Sequence, residues 1–122
     1  MLKRFSLVAA AVALVVAAPA FAASWHLVKS KSVTTTVYSV ASLHARVNHP
    51  LKFKIRFTGV VSGGDALVSC AGGFSLTTYK RSYTGRGTHV LPVRPRGASR
   101  CDVIVSAEVN HGTGRASLYV YR

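Results

Sequence analysis

Three carboxylates, five histidines and two cysteines hold most of the reactive chemistry available to this 122-residue chain. The acids are Asp65, Asp102 and Glu108. Hydrolysis by paired carboxylates needs two acids facing one gap. Asp102 and Glu108 share a strand face, but six residues of extended chain separate them by about 20 Å. Asp65 lies in Ser62-Gly63-Gly64-Asp65, which reads as a turn,. The histidines are His26, His44, His49, His89 and His111, with no His-x-His and no His-Glu-x-x-His among them. His44 and His49 flank one strand-to-turn stretch, but a metal centre needs three or more ligands and acids to orient them. Serines are plentiful, yet none sits in Gly-x-Ser-x-Gly,. Gly85-Arg86-Gly87 is too short for a phosphate loop and no helix follows it,. The residues therefore predict no catalytic centre, no metal and no cofactor. A small hydrolase or metalloprotein is kept as the third of three readings.

The N-terminus sets the compartment. Residues 1–22 read MLKRFSLVAAAVALVVAAPAFA: basic Lys3 and Arg4, an apolar run, Pro19, then Ala20-Phe21-Ala22. This is the pattern of a secretory signal peptide cut after Ala22. The apolar run falls short of the roughly 20 residues that a membrane span needs. No cysteine lies near the cleavage point for lipid attachment, and Leu91-Pro92-Val93-Arg94-Pro95 lacks the Thr-Gly of a cell-wall sorting motif. The expected product is residues 23–122, periplasmic or extracellular. In that compartment an even cysteine count predicts one intramolecular bond, Cys70–Cys101, and no Cys-x-x-C suggests a redox site,. The chain-entropy model assigns a loop of about thirty residues roughly 3–4 kcal/mol.

Charge is the main functional clue. The chain has 16 Lys+Arg against 3 Asp+Glu, a formal net charge of +13. Loss of Lys3 and Arg4 leaves 14 basic residues against 3 acidic ones, or +11. The cations form three groups: Lys52, Lys54 and Arg56; Lys80, Arg81 and Arg86; and Arg94, Arg96 and Arg100. Tyr79, Tyr83, Tyr119 and Tyr121 interleave with them. Cations beside exposed aromatics suit anionic polymers, and a merely solvated face would mix signs.

The elements that must position these groups read as strands. Leu51, Phe53, Ile55 and Phe57 alternate with Lys52, Lys54, Arg56 and Thr58, giving one apolar and one cationic face,. Val33–Val40 is rich in Thr and Val,. Ala66, Val68 and Cys70 share a face, and Phe74–Tyr83 carries aromatics and Thr. His89, Leu91 and Val93 alternate on a proline-bearing edge,. Cys101, Val103, Val105, Ala107 and Val109 face inward, as do Ala116, Leu118 and Val120, leaving Tyr119 and Tyr121 outward. Turn signals separate these runs at 48–50, 62–65, 72–73, 84–87, 96–99 and 110–114,. The pattern predicts an all-β domain of about seven strands and no substantial helix, which also argues against helical membrane insertion.

The strand count and the ending, strand Cys101–Val109, a Gly-containing hairpin and strand Arg115–Arg122, resemble secreted bacterial immunoglobulin-like β-sandwich domains. The resemblance implies a single antiparallel immunoglobulin-like sandwich over 23–122. Cys70 and Cys101 are closer than the inter-sheet pair of antibody domains, Trp25 sits at the mature N-terminus, and Ser99 stands where the corner Tyr would be,.

The expected function is that of an exported, non-enzymatic binding module. Its electrostatic site would comprise Lys52, Lys54, Arg56, Lys80, Arg81 and Arg86. Its partner would be an anionic polysaccharide, a lipid head group or an acidic protein of the cell envelope; nucleic acid ranks lower. The second reading is a structural or assembly module in adhesion or secretion, joined by edge-strand pairing near Tyr119 and Tyr121.

Overall fold

The structure, a computed structural model, describes residues 23–122. The expected signal peptide, 1–22, lies outside the described residues. Every regular element among them is a strand: β1 (Trp25–Thr35), β2 (Ser39–Asn48), β3 (Lys52–Gly59), β4 (Gly63–Gly72), β5 (Ser75–Thr84), β6 (Gly87–Pro92), β7 (Arg100–Val109) and β8 (Gly112–Tyr121). They form two four-stranded antiparallel sheets, ordered β1-β8-β3-β6 and β2-β7-β4-β5.

Alternation explains why the sheets pack. Phe53, Ile55 and Phe57 of β3 are buried, and of the cations that alternate with them Lys52 and Arg56 are exposed and Lys54 is half-buried. Ala116, Leu118 and Val120 of β8 and Leu91 of β6 complete that inner face. The facing sheet contributes Ala41, Leu43 and Val47, Ala66 and Val68, and Val103, Val105, Ala107 and Val109. Each large apolar side chain taken out of water contributes about 1.5–3 kcal/mol.

The expected antiparallel sandwich is present, with eight strands. The chain crosses between the sheets at every connection except β4–β5, and the resulting order is that of a jelly roll,. The resemblance to immunoglobulin-like domains ends at this connectivity. Side-chain alternation tells which face a strand buries; it carries no information about which strand lies beside it.

Two local expectations are corrected. The Thr/Val-rich stretch 33–40 is not one strand. The chain reverses between β1 and β2, where Val37 N–H donates to Thr35 Oγ1. β-Branching favours extended backbone on both sides of a reversal and does not mark the reversal itself. Second, Gly63, Gly64 and Asp65 are not a turn but the start of β4, paired with Glu108, Ala107 and Ser106. Gly64 is there for packing: a Cβ would stand 2.8 Å from the Phe57 ring and also collide with the Ser106 carbonyl. Glycine inside a strand commonly marks such a close approach.

Cys70 and Cys101 are cross-strand partners on β4 and β7, fully buried, with sulfurs 2.09 Å apart. The pair is capable of a disulfide and lies within one sheet, unlike the inter-sheet bond of antibody domains. The β2–β3, β4–β5 and β6–β7 connections meet at one end. There His49 N–H donates to the Ser99 carbonyl and Ser99 N–H to the Ala71 carbonyl.

Candidate functional site

The outer face of the β1-β8-β3-β6 sheet is built from short cross-strand rows. One row runs Trp25–Tyr121–Lys52–Pro92, because Trp25 pairs with Tyr121, and Lys52 with both Tyr121 and Pro92. In the next, Leu27 pairs with Tyr119, Tyr119 with Lys54 and Lys54 with Val90. Below these lie Ser117, Arg56 and Thr88, then Arg115 beside Thr58.

The side chains in the first two rows hold one another. Trp25 and Tyr121 meet edge to face with ring centres 5.1 Å apart. Lys52 Nζ lies 4.7 Å from the Tyr121 ring centre and 5.6 Å from that of Trp25. Lys54 Nζ lies 4.6 Å from Trp25 and 4.7 Å from Tyr119. An ammonium over an aromatic face gains about 0.5–1 kcal/mol at exposed sites. Two lysine heads are thus steadied on a platform of three rings. An anion meeting them needs to order less side chain than it would on free lysines.

The charges are sorted between the two sheets. All three acids lie on the outer face of the β2-β7-β4-β5 sheet, where each has a partner. Arg46 Nε donates to Asp102 Oδ1 at 2.9 Å, Lys80 Nζ sits 3.7 Å from Asp65, and Tyr38 O–H donates to Glu108 at 3.0 Å. Accepting that bond, Glu108 raises the Tyr38 pKa above the ordinary phenol value. The aromatic-lysine face has no acid among the described residues.

The predicted binding residues therefore separate. Lys52, Lys54 and Arg56 share the platform face. Arg86, in the β5–β6 turn, lines a shallow depression of about 300 Å³ with Arg56, Thr58 and Thr88 at its margin. Lys80 does not belong to the group, because register puts it on the opposite sheet beside Asp65. Arg81 does not either. Its guanidinium lies 4.9 Å from the Tyr79 ring centre at the open edge between β5 and β6.

Tyr79 and Tyr83, which interleave with the cations in sequence, do not join Tyr119 and Tyr121 on the platform face. Tyr79 O–H donates to the Pro92 carbonyl, and Tyr83 stacks on His89 with ring centres 3.8 Å apart, so both clasp β5 to β6. Burial pushes both phenols up, against the opposing charge of Arg81.

Sequence reasoning missed Trp25 and Arg115. Trp25 joins the platform only through the pairing of β1 with β8. Arg115 was legible in principle, since it shares the outward parity of Tyr119 and Tyr121 on β8. The edge-pairing idea is also corrected: β8 is interior, flanked by β1 and β3, so Tyr119 and Tyr121 border no free edge. Edge strand β1 carries Lys29 and Lys31 at positions of inward parity, and Lys29 Nζ donates to the His44 carbonyl of β2. Inward lysines on an edge oppose strand addition. Among the described residues, no cluster of three or more His, Cys, Asp and Glu side chains forms.

No family model matches the chain, and no curated protein matches it. Among solved structures, it is similar to the C-terminal domain of a structural protein from Sulfolobus turreted icosahedral virus, at 15% identity and TM-score 0.47, over 80% of this chain and 98% of that one. It is also similar to TmCBM61, solved in complex with beta-1,4-galactotriose, at 13% identity and TM-score 0.45, over 82% and 88%. PirA is similar at 12% identity and TM-score 0.45, over 80% and 93%.

Proposed function

We propose that this protein is an exported, non-enzymatic binding module that holds an anionic polysaccharide against the outer face of the β1-β8-β3-β6 sheet. One observation carries the reading: Lys52 and Lys54 are fixed over Trp25, Tyr119 and Tyr121 on a face that has no acid among the described residues. The ammonium groups supply paired charges for carboxylate, sulfate or phosphate substituents. The ring edges supply apolar contact for the sugar. Arg56, Arg86 and Arg115 extend the positive field down the face and steer encounter, so binding weakens with salt. Polysaccharide is favoured over an acidic protein because aromatic rings and lysines recur together in two successive cross-strand rows, an arrangement that a repeating polymer can match.

Export and the Cys70–Cys101 bond belong to the same proposal. A chain cut after Ala22 begins at Ala23, two residues before Trp25, and reaches a compartment where the cysteine pair oxidises,. The test is reversal of Lys52, Lys54 and Arg56 to Glu, followed by chromatography on an immobilised anionic polysaccharide. The expected result is loss of retention by a variant that still unfolds cooperatively, its thermal midpoint lowered by several degrees through loss of the lysine–ring contacts. Retention of a folded triple variant at the wild-type salt concentration overturns the proposal.

A further inference from the structure

A second surface lies at the end of the sandwich where β2–β3, β4–β5 and β6–β7 meet. The β4–β5 hairpin projects Phe74 from its turn fully into solvent, and Leu76 beside it is 73% exposed. Packing within the domain does not account for a bare Phe at the tip of a two-residue turn, since its ring buries nothing. Cations surround it. Arg100 and Leu76 both pair with Ala71, placing them in one outer row of the sheet. The β6–β7 connection, with Arg94 and Arg96 exposed, is seated against the hairpin: Ser99 N–H donates to the Ala71 carbonyl, and Pro95 lies where a Cβ on Gly72 would be. Leu51, also exposed, stands on the β2–β3 connection tied to this end through His49 and Ser99.

The opposite end is the internal comparison. It too exposes apolar side chains, Val37, Tyr38 and Val60, but Glu108 lies among them, bonded to Tyr38. Arg86, in the β5–β6 turn, lies at that end as well, but it shares the end with this carboxylate, whereas the Phe74 end groups three exposed arginines, Arg94, Arg96 and Arg100, with its apolar side chains. The one acid near it, Asp102, is already engaged by Arg46.

We propose that this end docks on an anionic lipid surface, with Phe74 and Leu76 entering the headgroup–acyl boundary while Arg94, Arg96 and Arg100 pair with lipid phosphates. Charge complementarity selects this occupant. Stable peripheral attachment takes two signals, one apolar and one basic, and both are present within one loop cluster. Unlike helical insertion, this mode needs only a hairpin tip. It uses residues other than those of the polysaccharide face, whose first row borders this end through the Leu51 N–H bond to the Tyr121 carbonyl, and would hold that face upright beside the membrane.

The test is co-sedimentation of the purified protein with vesicles of phosphatidylcholine alone or mixed with phosphatidylglycerol. Binding is expected only to the mixed vesicles. The pair Phe74→Ser and Leu76→Ser, with net charge unchanged, is expected to lower partitioning about tenfold. Each of Arg94→Gln, Arg96→Gln and Arg100→Gln is expected to lower it about fivefold. All five positions are solvent-exposed, so the variants should keep the wild-type unfolding midpoint. No binding to mixed vesicles overturns the proposal. So does wild-type partitioning by the Phe74/Leu76 variant, or binding that disappears in the Lys52/Lys54/Arg56 charge reversal and survives in the tip variant.

Discussion

Lys54 Nζ rests 4.6 Å from the ring centre of Trp25, although the two residues come from strands separated by β8. The contact turns the first strand into part of the candidate site. It also places a reporter there, since Trp25 is the chain's single tryptophan. Titration with an anionic polysaccharide should change the intrinsic fluorescence, and added salt should reverse the change. Trp25→Ala should weaken binding about tenfold, by loss of both ring contact and lysine positioning, and cost about 0.5–1.5 kcal/mol of stability through the lost Tyr121 contact. An unchanged affinity measured by calorimetry would remove Trp25 from the site.

Lys80 supplies the opposite expectation. It sits on the other sheet, 3.7 Å from Asp65. Lys80→Ala should leave polysaccharide affinity within about twofold of wild type, because an exposed, already paired charge contributes little to a distant face. Lys54→Ala, removing the same formal charge, should cost several times more. Equal losses in the two variants would mean that bulk charge, not the platform, governs binding.

Arg115, at the lower end of the platform face on β8, is the addition that register makes. Arg115→Glu should lower the association rate and flatten its salt dependence, with a smaller effect on dissociation. Stopped-flow mixing at two ionic strengths separates these terms.

How far these groups could be found without coordinates follows from the kind of information each needed. Lys52, Lys54 and Arg56 share a face because they alternate with Phe53, Ile55 and Phe57, and a period of two is local. Cys70 and Cys101 could be paired by count and compartment. Trp25 could not be placed: β1 reads Trp-His-Leu-Val-Lys-Ser-Lys, its register slips between Leu27 and Lys29, and it lacks a clean alternation. Nor does sequence separate Lys80 from Lys52, Lys54 and Arg56. Its side of the sandwich depends on which sheet β5 joins, a decision taken by long-range pairing. The Gly63-Gly64 pair was read as a turn because glycine's turn role is visible in sequence, whereas its packing role depends on Phe57, which approaches from the other sheet.

That packing role makes a stability prediction. A methyl on Gly64 must displace either the Phe57 ring, 2.8 Å from the added carbon, or the β7 backbone at Ser106. Gly64→Ala should destabilise the domain by about 1–3 kcal/mol, the usual cost of overpacking a filled core. Gly73, in the β4–β5 turn, provides the control for crowding: nothing lies within 4 Å of an added Cβ, but its φ of +59° favours glycine. Gly73→Asn, which tolerates that backbone, should therefore be nearly neutral in urea unfolding.

The cysteine pair separates stability from binding. Cys70 and Cys101 bridge β4 and β7, at a sequence separation of 31, in the sheet opposite the aromatic-lysine platform. Reduction restores loop freedom to the unfolded chain, and the chain-entropy model puts the loss at about 3–4 kcal/mol. For a domain of this size that corresponds to a fall in melting temperature of more than about 10 °C. The platform is built from β1, β8 and β3, none of which carries a cysteine. The reduced protein should therefore bind polysaccharide with wild-type affinity at temperatures well below its new midpoint, and lose binding only as it unfolds. Calorimetric titration with and without reductant, at one low and one intermediate temperature, reads both effects. Weaker binding by the reduced protein while still fully folded would mean that the bond also shapes the binding face across the core.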